Sequence, residues 1–298
     1  MGWVERTPRC FQHVAHRPWP LPSRGWRWRQ SWHDLLLMHW PVPAPALRAL
    51  VPAPLNIHKF HGVAWVAVAP FWTSGIEYRL VPSPIRSAMA MLSLHTFVIR
   101  NGRPGIWFLQ LNAGDRLSAW LGARSLGLPF VATRAHVERG VGMVTHRWEK
   151  NGEVIFQARY TPVGQAVTPE PGSLEHWLTE RYAVYTRGPS GSLRQIELHH
   201  GRWPVQKVAA TVQRNAVLSG VGLQCHGPLG PVLHTPRLEI VAWPSRQLPT
   251  LPKGAGIARR WATPPSTTVA TPAEPVSAPG PALPADLPAP AASVPAGV

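Results

Sequence analysis

The chain has 298 residues, 45% of them hydrophobic, with 15 tryptophans, so it can bury a substantial core. Thirty basic against 14 acidic side chains give a net charge of +16, a balance that attracts polyanions or acidic lipid; yet only Lys59, Lys150, Lys207 and Lys253 are lysines, and a composition favouring Arg, Ala, Pro and Gly explains the excess without a nucleic-acid role. Two cysteines, Cys10 and Cys225, exclude a disulfide framework and allow one bridge at most, which suits a reducing, cytoplasmic setting.

Residues 1–16 show no hydrophobic period and are read as an extension with little order. Arg6, Arg9, His13, His16 and Arg17 interrupt any signal-peptide core, so secretion is not expected. A single domain is expected over 17–248. Its first strand is placed in 28–40, where Leu35, Leu36 and Leu37 fit either period and strand is preferred. Pro45 opens one short helix that Pro52 and Pro54 stop. The run 59–71, KFHGVAWVAVAPF, is apolar on both faces and predicts a strand buried on both. The apolar run 63–72 contains Pro70 and is too short to span a bilayer, so no membrane contact is expected.

The organising stretch is 91–112, two apolar-rich segments joined across Asn101-Gly102, a dipeptide that marks a tight hairpin. An uninterrupted register pairs His95 with Phe108, Ser93 with Gln110 and Met91 with Asn112. One face then carries Ser93, His95, Phe97, Phe108, Gln110 and Asn112, and the other is apolar. Residues 114–127 place Leu117, Trp120, Leu121 and Arg124 at helical spacing, with Asp115 near the start and Gly127 after the end, and the stripe is read as packing. A second Asn-Gly hairpin, around Asn151-Gly152, sets Trp148 opposite Ile155 and His146 opposite Gln157. Ser173 caps a short helix, and further strands are expected in RYAVY, IELHH, VQKVAATVQRN and LEIVAW. Residues 249–298, rich in Pro and Ala, are read as a disordered tail.

No motif for acyl transfer, phosphate cradling or a metal appears, and neighbouring histidines such as His199-His200 are expected from a chain with 14 of them. Neither cofactor nor metal is expected. The segments WHDLLLMHWPVP, ALRALVPAPL, FHGVAWVAVAPF, NGRPGIWFLQLNA, PGSLEHWLTERY and LHHGRWPVQ, in this order, resemble the YqjF-like family of bacterial proteins. The resemblance implies an acetoacetate-decarboxylase-like fold: mainly β, a large antiparallel barrel around a central cavity, with a few short helices. It also marks a departure. Met91, Ser93, His95 and Phe97 stand where relatives tend to carry Glu, Asn, Arg and Tyr, and Gln110 and Asn112 where Ser and Asp are usual.

Decarboxylases of this fold use a lysine Schiff base, and no family motif places a lysine here, so that chemistry is not expected. The sequence therefore points to a small organic ligand in the barrel, with Ser93, His95, Gln110 and Asn112 as pocket candidates. His39, Glu180 and Tyr182 join them because they lie in the family segments. A non-enzymatic partner or nucleic-acid binder using the Arg-rich surface is the alternative.

Overall fold

The computed structural model describes residues 7–80, 88–188, 190–224 and 228–249. Cys225, Lys253 and the tail beyond Pro249 lie outside them, as does the second of the chain's two units, 259–298. In chain order the elements are β1 (Trp28–Val42), α1 (Ala44–Arg48), β2 (Asn56–Ile57), β3 (Lys59–Phe60), β4 (Val63–Tyr78), β5 (Met89–Arg100), β6 (Arg103–Ala113) and α2 (Arg116–Leu126). There follow β7 (Phe130–Ala132), β8 (Arg134–Arg139), β9 (Val144–Lys150), β10 (Glu153–Val167), α3 (Leu174–Thr179) and β11 (Ala183–Arg187). β12 (Leu193–His200), β13 (Val205–Asn215), β14 (Val232–Ala242) and β15 (Arg246–Gln247) complete the order.

The expected strands and short helices all form. Hydrogen-bonded pairing runs β12-β11-β6-β5-β4-β1-β14, and β14 pairs again with β12, so the sheet closes on itself as a barrel. Every seam of this circuit is antiparallel except β6 with β11. There the strands meet over Ile106 and Trp107, and a Cβ on Gly105 would lie 2.5 Å from the Ala183 carbonyl oxygen. Glycine lets the two backbones approach.

From β14 the sheet continues through β13, β10, β9 and β8 as a second layer. This explains the strands apolar on both faces. Leu35, Leu37, Ala67, Ala69, Phe71, Met91 and Phe97 point into the barrel, while the alternating Leu36, Met38, Val66, Val68, Leu92 and Leu94 pack with Trp148, Phe156 and Tyr160 of the second layer. Two buried layers require two apolar faces.

Both Asn-Gly turns form, with positive φ at Asn101, Gly102, Asn151 and Gly152. Neither hairpin keeps the uninterrupted register. In the first, pairing holds from Arg100↔Arg103 to His95↔Phe108, then Leu109 is left over and Leu94 pairs with Gln110 and Ser93 with Leu111. In the second, Ile155 is left over, so Trp148 faces Phe156 and His146 faces Ala158. One extra residue in one strand turns every later side chain to the other face.

Part of the segment read as an extension with little order packs on the barrel wall: Pro8 and Cys10 are buried and Phe11 is half-buried, while residues 12–15 are exposed. Cys10 is buried beside Val241 and Trp243, and its backbone accepts from His199. Arg17 then pairs with the buried Glu197 at 2.8 Å, which Arg103 also reaches at 2.7 Å. Phe11 and Cys10 supplied apolar surface that a periodicity reading of so short a segment does not register.

Candidate functional site

The barrel interior divides into two ends. At the end where β5 begins, a cavity of about 220 Å³ is walled by Trp28, Trp32, Phe71, Met91, Phe108, Leu111 and Ile240, and α2 closes it with Ser118, Leu121, Gly122 and Leu126. α2 is held in place by sequence features read at the outset. The Asp115 side chain accepts from the Ser118 N–H, and Gly127 ends the helix at φ 64. The lining carries little polarity. Thr73 Oγ1 donates to Gln30 Oε1 at 3.2 Å, and Ser118 and Ser125 come from the helix.

At the other end, α3 covers the barrel with Trp177 and Leu178, and the side chains turn polar. His39, Ala67 and His95 form one row across β1, β4 and β5. Phe97 is the hub. His39 lies 6.3 Å from its ring, His95 5.6 Å, and the Arg181 guanidinium 5.0 Å, with Trp177 stacked on the guanidinium at 4.1 Å. Arg181 donates through Nη1 to His58 Nδ1 at 2.8 Å.

Burial governs the protonation states here. It pushes His39 down to about 4 and both His95 and His58 to about 3, with Arg181 adding repulsion at His95 and His58. The imidazoles are neutral at pH 7. Burial also draws Arg181 down to about 9, opposed by Glu180, which leaves it charged at pH 7.

The predicted site residues are thus partly brought together. His39, Ser93 and His95 share the barrel interior, Ser93 Oγ lying 3.3 Å from His95 Nδ1. His95 touches Phe108, a cavity wall, at 5.7 Å but does not itself line the cavity. Gln110 and Asn112 are not with it. Beyond the Leu109 bulge they turn outward, where Gln110 Nε2 donates to Asn112 Oδ1 at 2.8 Å, Thr133 Oγ1 donates to the same oxygen at 3.0 Å, and Asn112 Nδ2 donates to the Leu92 carbonyl at 3.2 Å. Asn112 is a buried, fully bonded strut. The expectation that these amides are the partners of His95 is therefore corrected, and Leu111 occupies the interior position instead.

Glu180 and Tyr182 bond to each other, and Tyr182 packs on His200 at 4.6 Å and under Arg17 at 5.0 Å, on the side of the chain that the N-terminal segment covers. Arg181, between them, was not singled out. Its signal was available, since it lies in PGSLEHWLTERY and alternates with the two residues that were chosen. Trp177 lies in the same segment, and His58 had no such signal.

Lys59, Lys150 and Lys207 are exposed, and none lines the cavity. Among the described residues no three His, Cys, Asp or Glu side chains converge as a metal-binding group, and no helix is long and apolar enough to cross a membrane.

The fold has counterparts among solved structures. An acetoacetate decarboxylase from Legionella pneumophila aligns with a TM-score of 0.57 at 10% identity, over 80% of this chain and 96% of that one. An acetoacetate-decarboxylase-like enzyme from Sphingomonas wittichii RW1 aligns with a TM-score of 0.57 at 14% identity, over 80% and 100% of the two chains. The enduracididine biosynthesis enzyme MppR, complexed with pyruvate, gives 0.54 at 13% identity over 78% and 93%. At such identities the likeness is one of fold.

In sequence, the uncharacterized protein YqjF of Bacillus subtilis (strain 168) is 34% identical over 232 residues, 76% of this chain and 95% of that protein. Residues 29–239, which hold β4, β5, β6, β11, β12, most of β1 and β14, and the α2 and α3 covers, match a family described as an uncharacterized conserved protein. The chain belongs to this YqjF-like family.

Proposed function

We propose that the protein binds a small organic molecule inside the barrel, in the cavity under α2. The observation that carries this reading is the cavity itself: about 220 Å³ enclosed by strands and a capped helix, with aromatic and aliphatic walls and a few polar groups at Gln30, Thr73, Ser118 and Ser125. Small-ligand sites have this make-up. A structural neighbour complexed with pyruvate gives a precedent for a small ligand in this fold. In this reading His39, Ser93 and His95 form the polar end of the same interior. Glu180, Tyr182, Gln110 and Asn112 hold the surrounding strands, and Schiff-base chemistry plays no part because the described lysines are exposed.

The test is a thermal-shift titration with neutral probes of suitable size, indole and cyclohexanone, against wild type and Val184→Phe, which places a ring in the cavity. At least one probe should stabilise the wild type, and the variant should lose that response while remaining folded. Equal responses from both proteins would remove the cavity as the binding place. Borohydride treatment in the presence of a β-keto acid should leave no adduct, and a mass increase on any lysine would overturn the non-covalent reading.

A further inference from the structure

We propose that the α3 end of the barrel interior is a second binding site, for a small carboxylate that carries a hydroxyl group: Arg181 holds the carboxylate, and His39 Nε2 accepts from the hydroxyl. This site is separate from the cavity under α2, and the inference does not rest on that reading.

The first observation is a buried charge without an ion-pair partner. Arg181 is 6% exposed and forms no ion pair among the described residues, and its only side-chain hydrogen bond runs from Nη1 to a neutral imidazole, that of His58. Its Nε and Nη2 meet no acceptor at all. A buried guanidinium with unmet donors is costly, and the stacking of Trp177 and Phe97 on its faces does not satisfy the N–H groups in its plane. Those donors form a planar edge, the geometry that takes a carboxylate through two parallel hydrogen bonds. The contrast with Arg17 is direct: Arg17, equally buried, has Glu197 at 2.8 Å.

The second observation fixes what else the ligand carries. His39 Nδ1 lies 2.8 Å from the Pro231 carbonyl oxygen, which can only accept, so Nδ1 bears the proton and Nε2 presents a lone pair. That Nε2 is buried without a partner. Ser93 Oγ donates to the Ala69 carbonyl and so accepts from His95 Nδ1, which leaves the His95 Nε2 also as an acceptor, with no partner among the described residues. Ala67, with a single methyl group, stands between the two histidines in the row. Around one Phe97 ring the barrel therefore presents two N–H donors with a positive charge and two neutral acceptors. An anion alone would leave the acceptors unpaired, and a diol would leave the guanidinium without an ion pair. A hydroxycarboxylate pairs the guanidinium edge through its carboxylate and the buried His39 Nε2 through its one O–H.

Binding isotherms with 3-hydroxybutyrate, butyrate, 1,3-butanediol and inorganic phosphate test the assignment. Wild-type protein should bind 3-hydroxybutyrate about tenfold or more tightly than butyrate or the diol, the scale of one well-placed hydrogen bond. Arg181→Gln should reduce 3-hydroxybutyrate to the level of the diol, and His39→Phe should reduce it towards butyrate. Equal binding of butyrate and 3-hydroxybutyrate, or Arg181-dependent binding of phosphate alone, would overturn the proposal in favour of a simple anion site. Should Arg181→Gln fail to fold, the wild type still decides: the Arg181 Nε–H resonance in a nitrogen-15 spectrum must move on addition of 3-hydroxybutyrate and stay still with the diol. No movement under saturating ligand would end the idea.

Discussion

The two ends of the barrel interior are built from the same strands and differ in what they leave unmet. Under α2, hydrocarbon surrounds about 220 Å³ of space, and the cost is the dispersion contacts that the lining side chains do not make. Under α3 the packing is close, yet Arg181 Nε and Nη2 and His39 Nε2 are buried without partners. A void lined by carbon is tolerated cheaply. A buried guanidinium without an ion pair is not, so the two ends differ in kind: one leaves space unfilled and the other leaves hydrogen bonds unmade.

The largest effect separating the ends should come from removing the aromatic side chain on which each depends. Phe97 is fully buried and touches His39, His95, Trp177 and Arg181. Phe97→Ala should cost about 3 to 5 kcal/mol in denaturant unfolding. Phe130, which borders the cavity and is only partly buried, should cost about half of that when replaced by Ala, because less surface returns to water and the space beside it already exists. Equal losses would show that the cavity end is packed as tightly as the α3 end.

How much of this was legible in the sequence depends on the range of the interaction. Turn chemistry and alternation are local, so Asn101-Gly102 located the hairpin and paired His95 with Phe108 correctly. The bulge at Leu109 lies between the parallel pairings of β6 with β11 and with β7, contacts more than a dozen residues away in sequence, and no local pattern announces it. Its consequence was nevertheless large, because it moved Gln110 and Asn112 out of the site. Arg181 was missed for a different reason. A single arginine among many carries no mark of burial, and only the closing of α3 over Phe97 makes it the exception. The family segments, by contrast, were legible because each is a contiguous string.

Acid should distinguish the ends next. His39 and His95 have folded-state values of about 4 and about 3, below the ordinary 6.5, because burial disfavours their charged forms. The unfolded chain then binds more protons than the folded one below pH 6.5. Stability is therefore fully present above about pH 6.5 and declines as the pH falls through the folded values. His58 at the same end and His146 in the second layer, at about 3 and about 4, contribute with the same sign. The cavity lining under α2 holds no group that titrates in this range. A His39→Gln, His95→Gln double variant should show a shallower loss of unfolding free energy between pH 6.5 and 4 than the wild type, and Val184→Phe an unchanged one. A profile that does not flatten in the double variant would mean that these imidazoles are not buried as described.

The smallest effect should come from the outer surface of the cover itself. Leu117, Trp120, Leu121 and Arg124 have helical spacing and are read as a packed stripe, but of the apolar three only Leu121 faces the cavity: Ser118 and Ala119 are buried, whereas Leu117 is 63% and Trp120 59% exposed. The reason is distance. The helix lies so close to the barrel mouth at Gly122 that a Cβ there would come within 2.6 Å of the Phe130 ring. Trp120→Ser should therefore change stability by no more than about 0.5 kcal/mol, the usual range for an exposed site. Gly122→Ala should destabilise by more, since the Phe130 ring must shift to admit the methyl group, and with it the cavity wall that Phe130 forms. If instead Trp120→Ser lowers the melting temperature by several degrees while Gly122→Ala is silent, the apolar stripe faces inward, α2 is turned relative to the barrel, and the cavity lining assigned to it is wrong.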